Sequence, residues 1–379
     1  MKIADIRTLF IDKYLFVEIE TDTGITGLGE CGAFIFLDAC AACVNTFRGM
    51  ILGMDPLRRE HISQYMLRSF HFRGSVISAA ASAIDCALWD IAGKYYGAPV
   101  WQLMGGRCRD RARVYVHVWG ATTEALVAGC VEAKKQGFTA VGHLSPFLDE
   151  PRTTLYEETF AQKIGRAAER VYRYREAVGD DVDLCIEMHR RCSVQEAVAF
   201  AREIEPLRPM FIEDPVRPDN FDDMAQVAAK TNIPIATGER LLSGQEFAML
   251  LARGGVHYIR PDLCVCGGLT GGKKIAALAE AFGVQVVPHN PLGPVSTAAC
   301  LHLAGCIPNF ALLEYPGGEK SSPQNGIVQM DTALHAGYLT IPETPGIGVS
   351  LVPGAAEKYP PVTRRLVTRL AADGSVVDQ

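Results

Sequence analysis

Three glutamates carry the strongest chemical signal in the chain. Glu187, Glu213 and Glu239 each close a short apolar run: Leu184-Cys185-Ile186, Met210-Phe211-Ile212 and Ile235-Ala236-Thr237-Gly238. Each stands 26 residues after the one before. That is about one strand-plus-helix unit of a barrel of roughly 250 residues divided among eight units. The spacing predicts three carboxylates on adjacent strands, at the C-terminal rim where barrel enzymes keep their active sites. Converging carboxylates repel one another. A hard divalent cation with oxygen ligands offsets the repulsion, and Mg2+ suits three carboxylates with positions left for substrate and water. One such glutamate alone would read as a surface residue or a neighbour of a helix cap; three at one spacing favour the metal.

The series continues beyond the triad. Asp262 follows the sixth apolar run, His289 the seventh and Glu314 the eighth. Asp262 beside His289 makes a carboxylate–imidazole pair, which fixes the tautomer and raises the basicity of the ring. His189 lies two residues after Glu187, so a regular strand would face both the same way. Histidines on strands 3 and 7 stand across an eight-stranded barrel from each other. Two proton carriers flanking a cation are the parts needed to remove a proton next to a carboxylate and deliver another.

Elements must hold these residues in place. The 379 residues are 48% hydrophobic and 21% charged, ample for a large core and two to three domains. Residues 1–113 read as a mixed α+β block. A meander (Ile3–Phe10, Tyr14–Glu20, Ile25–Glu30) is followed by helical stretches, the longest Ser75–Tyr96. Residues 114–316 alternate short apolar runs with amphipathic stretches. The runs are Val114–Val118, Ala140–Leu144, Val182–Met188, Met210–Ile212, Ile233–Ala236, Tyr258–Ile259, Val284–Val287 and Phe310–Leu313. Eight strands alternating with helices predict an α/β fold, a closed (β/α)8 barrel of the TIM type, with an open doubly wound sheet as the alternative. Residues 317–379 lose this rhythm and are expected to return to the first block and complete it as a cap. A net charge of −6 offers no basic excess for nucleic acid or an anionic membrane. The N-terminus lacks the apolar core of a signal peptide and no run reads as long enough to span a bilayer, so the cytoplasm is expected. The twelve cysteines are scattered, and the C-x-C at Cys264 and Cys266 is not a zinc spacing; they read as reduced, mostly buried thiols.

Longer motifs now accumulate: Ala83-Ile84-Asp85-Cys86-Ala87-Leu88-Trp89-Asp90, Trp101-Gln102-Leu103-Met104-Gly105-Gly106, Phe211-Ile212-Glu213-Asp214-Pro215, Gly238-Glu239-Arg240, Arg260-Pro261-Asp262-Leu263, Gly267-Gly268 and Pro288-His289-Asn290-Pro291-Leu292-Gly293-Pro294. Together they resemble the mandelate racemase subgroup of the enolase superfamily, and within it sugar-acid dehydratases of the galactonate dehydratase type, over essentially the whole chain. The resemblance implies a modified barrel under an α+β cap, and Mg2+ on Glu187, Glu213 and Glu239. It implies His289, paired with Asp262, as the base at C2 and His189 as the acid at the departing C3 hydroxyl. Glu314 would hydrogen-bond the substrate carboxylate or its enediolate, giving a 2-keto-3-deoxy product. Gly32–Leu37 and His71-Phe72-Arg73-Gly74 would close over the substrate, with Arg73, His143 and His117 binding it. The partner implied is a small sugar acid, and the assembly a homo-oligomer.

The chain departs from that pattern twice. The first ligand is usually Asp, and here it is Glu187, longer by one methylene. The second strand, Ala140-Val141-Gly142-His143-Leu144, has Gly142 where relatives carry a lysine. By strand parity Gly142 and His143 do not both face inward, and either could. Gly27-Leu28-Gly29-Glu30-Cys31-Gly32 matches G-x-G-x-x-G, but it sits in the meander rather than before a helix. Asp214 faces away from Glu213, and Arg240 and Arg260 are expected in ion pairs at the barrel mouth. An epimerase, racemase or cycloisomerase would use the same metal and histidines. A metal hydrolase would call for histidine ligands, and a non-catalytic barrel for no metal at all.

Overall fold

A computed structural model of the chain describes residues 1–147, 153–155, 157–318, 322–364 and 367–378. The first block opens with an antiparallel sheet of β1 (Ile3–Ile11), β2 (Tyr14–Thr21) and β3 (Thr26–Glu30). Helices α1 (Leu37–Ile51), α2 (Arg59–Arg68) and α3 (Ser75–Tyr96) pack around it. Alanine-rich α3 buries 15 of its 22 residues. Its small side chains let β3 approach closely. A Cβ on Gly27 would lie 2.1 Å from the Ala87 carbonyl oxygen, and one on Gly29 1.9 Å from that of Ala83. Close strand–helix packing therefore accounts for Gly27 and Gly29 of the G-x-G-x-x-G match, while Gly32 packs against Cys264 and Val265.

One expectation needs correcting. Two helical segments, 34–51 and Ser75–Tyr96, are long and apolar enough by length and composition to cross a bilayer. Most of α3 is covered by protein, and α1 turns Cys40, Ala41, Val44, Phe47 and Ile51 inward.

After the short α4 (Val100–Leu103) come the eight parallel strands: β4 (Arg111–His117), β5 (Ala140–Leu144), β6 (Asp183–Glu187), β7 (Phe211–Glu213), β8 (Ile235–Thr237), β9 (Tyr258–Ile259), β10 (Gln285–Val286) and β11 (Leu313–Tyr315). Each pairs with the next from β4 to β10, and β11 pairs with β4. A bridge from Val286 to Phe310 closes the ring. Seven helices lie between them: α5 (Thr123–Lys135), α6 (Phe160–Val178), α7 (Val194–Ile204), α8 (Phe221–Ala228), α9 (Gly244–Arg253), α10 (Gly268–Ala281) and α11 (Pro294–Cys306). Thr122, Thr159, Ser193, Asn220 and Ser243 cap the first five through side-chain oxygens. The last two are capped from the first block instead. Asp85 accepts the Thr270 N–H at 2.9 Å, and Glu30 accepts those of Gly293 and Ser296 at 2.7 and 3.0 Å. Tyr115, Ala140, Cys185, Phe211, Ala236, Val287 and Leu312 fill the barrel interior. All twelve cysteines are free, ten of them buried.

The last segment contains α12 (Gln324–Ile327), β12 (Val328–Met330), β13 (Leu334–His335), β14 (Tyr338–Thr340), β15 (Val349–Leu351) and α13 (Ala355–Lys358). It runs back to the start of the chain. Asp12 exchanges backbone hydrogen bonds with Tyr359 and Val362, and β14 pairs antiparallel with the base of β4. Asp90 of α3 joins three elements at once. Its carboxylate accepts N–H groups from Leu28 and Ile347 and the Lys94 ammonium.

Candidate active site

The three glutamates meet at the C-terminal end of the barrel. Glu187 and Glu213 end β6 and β7 and are register partners, and Glu239 follows β8 by two residues. Each offers one oxygen within 4.8 Å of the other two. Among the described residues this is the group of acidic, His and Cys side chains whose donor atoms converge as metal ligands would. The donors are all hard oxygens, close enough for one small ion to touch all three. Their surroundings leave excess negative charge. Glu187, Glu213, Glu239, Asp214, Asp262 and Glu314 are buried together, and Arg190 and Arg260 are the guanidiniums paired with them. The donor set and the charge both fit a divalent cation.

The histidines flank the triad. His289 Nδ1 lies 2.8 Å from Asp262 Oδ2, and its Nε2 lies 3.2 Å from Glu239. Asp262 is itself held by the Cys264 N–H at 2.7 Å. On the opposite side His189 Nε2 lies 3.0 Å from Glu187 Oε1. His189 stands beyond β6, so strand parity does not aim it. A left-handed backbone does: His143, His189, Arg190 and Asp214 account for four of the eight non-glycine residues with positive φ among the described residues.

His143 enters the site by the same means. The β5–β6 register shifts between Val141 and Leu144, and His143 has a φ of 56°. Its Nδ1 then reaches Glu187 Oε2 at 2.7 Å. The parity rule is corrected here, because a bulge lets Gly142 and His143 both turn inward. Gly142 faces the barrel core, where a Cβ would lie 2.2 Å from the Tyr115 ring. That ring fills the room a side chain at 142 would need. His117, at the end of β4, stacks on His143 with ring centroids 4.8 Å apart. Its Nε2 lies 2.7 Å from Glu314 Oε1. The other Glu314 oxygen accepts the Asn290 N–H at 2.9 Å and pairs with Arg260.

Arg260 also pairs with Glu213, and is 1% exposed, so it lies under the site rather than at the barrel mouth. Arg240 is at the surface, 3.9 Å from Asp219. Asp214 accepts from the Thr237 hydroxyl and pairs with Arg190, which it shares with Glu239. Arg190 also pairs with Glu239; nothing in the sequence singled it out. Arg73 sits on an exposed loop and has no ion pair among the described residues. Of the region after the eighth strand, residues 319–321 lie outside those described.

Residues 125–355 match the Enolase C-terminal domain-like family, and residues 2–105 the Mandelate racemase / muconate lactonizing enzyme, N-terminal domain. The chain belongs to the enolase superfamily. A D-galactonate dehydratase of Ralstonia pickettii is 36% identical with all of both chains covered, and one of Xanthomonas oryzae pv. oryzae 35% identical over the same share. Among solved structures, an enolase from Agrobacterium radiobacter with bound Na and L-malate has a TM-score of 0.92 at 31% identity, with both chains covered in full. An enolase superfamily member from Salmonella Typhimurium has a TM-score of 0.89 at 32% identity, covering 95% of this chain and 98% of its own.

Enolase superfamily members bind a divalent metal, and this chain has a carboxylate triad for one. Burial raises the carboxyl pKa of Glu187, but His189 and His143 outweigh it and hold it well below the usual range. Burial dominates at Glu213 and pushes it well up despite Arg260. At His289 burial lowers the pKa, yet Glu239, Glu314 and Asp262 together drive it up to about 10. A divalent cation on the three glutamates would offset the carboxylate charge that raises His289 and Glu213.

Proposed function

We propose that the chain is a Mg2+-dependent dehydratase of a sugar acid of the aldonate type, yielding a 2-keto-3-deoxy acid. The observation that carries this is the placement of two histidines on opposite sides of the glutamate triad, one of them backed by Asp262. Full-length likeness to enzymes named D-galactonate dehydratase supports the hydro-lyase class. Glu187, Glu213 and Glu239 would hold Mg2+, which supplies Lewis-acid stabilisation of charge developing on the substrate carboxylate.

The residues divide the proton work. Asp262 accepts from His289 Nδ1, which leaves Nε2 facing the site as the group that takes the C2 proton. Asp262 then stabilises the imidazolium. The C2–H electron pair moves toward the carboxylate, giving an enediolate. As that collapses, the C3–O bond breaks and His189 Nε2 delivers a proton to the departing oxygen, so that one water is lost. The enol left behind becomes the 2-keto acid. Glu314, whose Oε1 lies 2.7 Å from His117 Nε2, would hydrogen-bond the substrate carboxylate or its enediolate when a proton lies between them. His143 and His117 would line the pocket and Arg73 would supply a cation from the cap. A small-molecule partner, a homo-oligomeric assembly and a cytoplasmic location belong to the same reading.

The test uses purified enzyme with Mg2+ and a panel of aldonates in D2O, followed by NMR. Wild type should form a 2-keto product with loss of water. His289→Asn should lose both turnover and exchange at C2. A product of unchanged mass would point to the epimerase or cycloisomerase instead, and C2 exchange retained in His289→Asn would remove His289 as the base.

A further inference from the structure

The chain has three tryptophans, at 89, 101 and 119. Two are fastened into the fold. Trp89 donates its indole N–H to Thr270 Oγ1 at 2.8 Å, and Trp101 donates its own to the Pro342 carbonyl at 2.7 Å. Trp119 is different. It is 63% exposed, and its indole N–H has no partner among the described residues. It lies two residues past the end of β4, on the rim where barrel enzymes keep their active sites. Its ring is held against site residues, with its centroid 4.4 Å from that of His143 and 5.3 Å from that of His117. His143 in turn touches Glu187, so the indole stands one ring away from the metal ligands.

The wall below it explains the arrangement. Strands β4 and β5 present rings to the mouth: Trp119, His117 and His143. No side chain comes from Gly142, because Tyr115 fills that space. The glutamates follow on β6, β7 and after β8, with Arg190 paired to Glu239. A bare indole face beside such a polar centre is an apolar surface that a ligand would cover, with a free N–H for a hydroxyl.

We propose that Trp119 is a specificity residue, the platform on which the carbon chain of the sugar acid beyond its reacting carbons packs. This rests on the sugar-acid reading above. The reacting end lies over the glutamates, so only acids with carbons beyond C4 reach the platform. The indole face covers their C–H groups, and its N–H meets a distal hydroxyl.

The experiment compares wild type, Trp119→Ala and Trp119→Phe on two sets of acids with Mg2+. One set is six-carbon (gluconate, galactonate, mannonate) and the other four-carbon (erythronate, threonate). Acids that are not turned over are measured as competitive inhibitors. For the six-carbon acids Trp119→Ala should raise KM or the inhibition constant about tenfold, with kcat within about twofold. Trp119→Phe should recover most of the loss, and the four-carbon acids should bind all three proteins alike. Equal effects on both chain lengths, no effect on either, or wild-type turnover confined to four-carbon acids would overturn the platform and leave the dehydratase standing. A wild type that turns over no sugar acid overturns both.

Discussion

Gly142 offers a sharp test of how this barrel is packed. An alanine there would put its Cβ 2.2 and 2.3 Å from two Tyr115 ring carbons and 3.2 Å from Cys185 Cβ. Carbon atoms rest about 3.5–4.0 Å apart, so the ring must retreat by roughly 1.3 Å. It has little room to do so, being 1% exposed, edge-on to Phe211 and beneath the Arg260 guanidinium. Overpacking of this kind costs about 1–3 kcal/mol, and the fixed ring places Gly142→Ala near 2–3 kcal/mol. An unfolding entropy of about 2.1 cal/mol/K per residue, taken over 379 residues, converts that to a fall in Tm of roughly 3 °C. Differential scanning calorimetry would measure it, alone and in a Tyr115→Leu background. Without the ring carbons the same substitution should cost under about 1 kcal/mol. An equal cost in both backgrounds, or none in wild type, would refute the claim that Tyr115 occupies the place of a side chain at 142.

Two further outcomes follow from buried charge. Arg260→Met should cost about 3–5 kcal/mol in denaturant unfolding, since it leaves buried Glu213 and Glu314 without their shared cation. Arg253→Met, which breaks an exposed pair with Asp222, should cost under about 1 kcal/mol, and similar losses for the two would contradict the reasoning. Burial raises the Asp85 pKa to about 7 against opposition from the Thr270 N–H and Arg59. A raised folded pKa makes the folded state the better proton binder, so this group's contribution is full below about pH 4 and is lost as pH rises through 7. Asp85→Asn should therefore gain stability relative to wild type between pH 4 and 7, and a flat difference in Tm across that range would count against it.

The sequence exposed the barrel because its strands are short and apolar on both faces, which separates them cleanly from amphipathic helices such as Gly244–Arg253. The carboxylates and His289 were legible for the same reason: each stands at the end of a countable unit. Residues placed by irregular backbone were not. His143 turns inward through a bulge, and period-two reasoning has no term for one. Arg260 shares parity with Asp262 yet sinks beneath the site, because two carboxylates from β7 and β11 draw it there. The missing lysine at 142 was visible as an absence, whereas its replacement by a ring from the neighbouring strand is a fact of three-dimensional packing. Trp119 and Arg190 carried no pattern beyond their positions after strands.

The single carboxylate of Asp90 has a consequence for how the chain is made. It holds Leu28, near the beginning, and Ile347, near the end, on one helix. During synthesis the N-terminal block emerges first, but these hydrogen bonds cannot all form until almost the whole chain has been translated. Leu28 and Lys94 can bond Asp90 within the first block, whereas the other Asp90 oxygen waits for the Ile347 N–H. The Asp90 carboxylate should thus be among the last groups of the first block to be fully satisfied, and loss of the segment around Ile347 should be felt on α3.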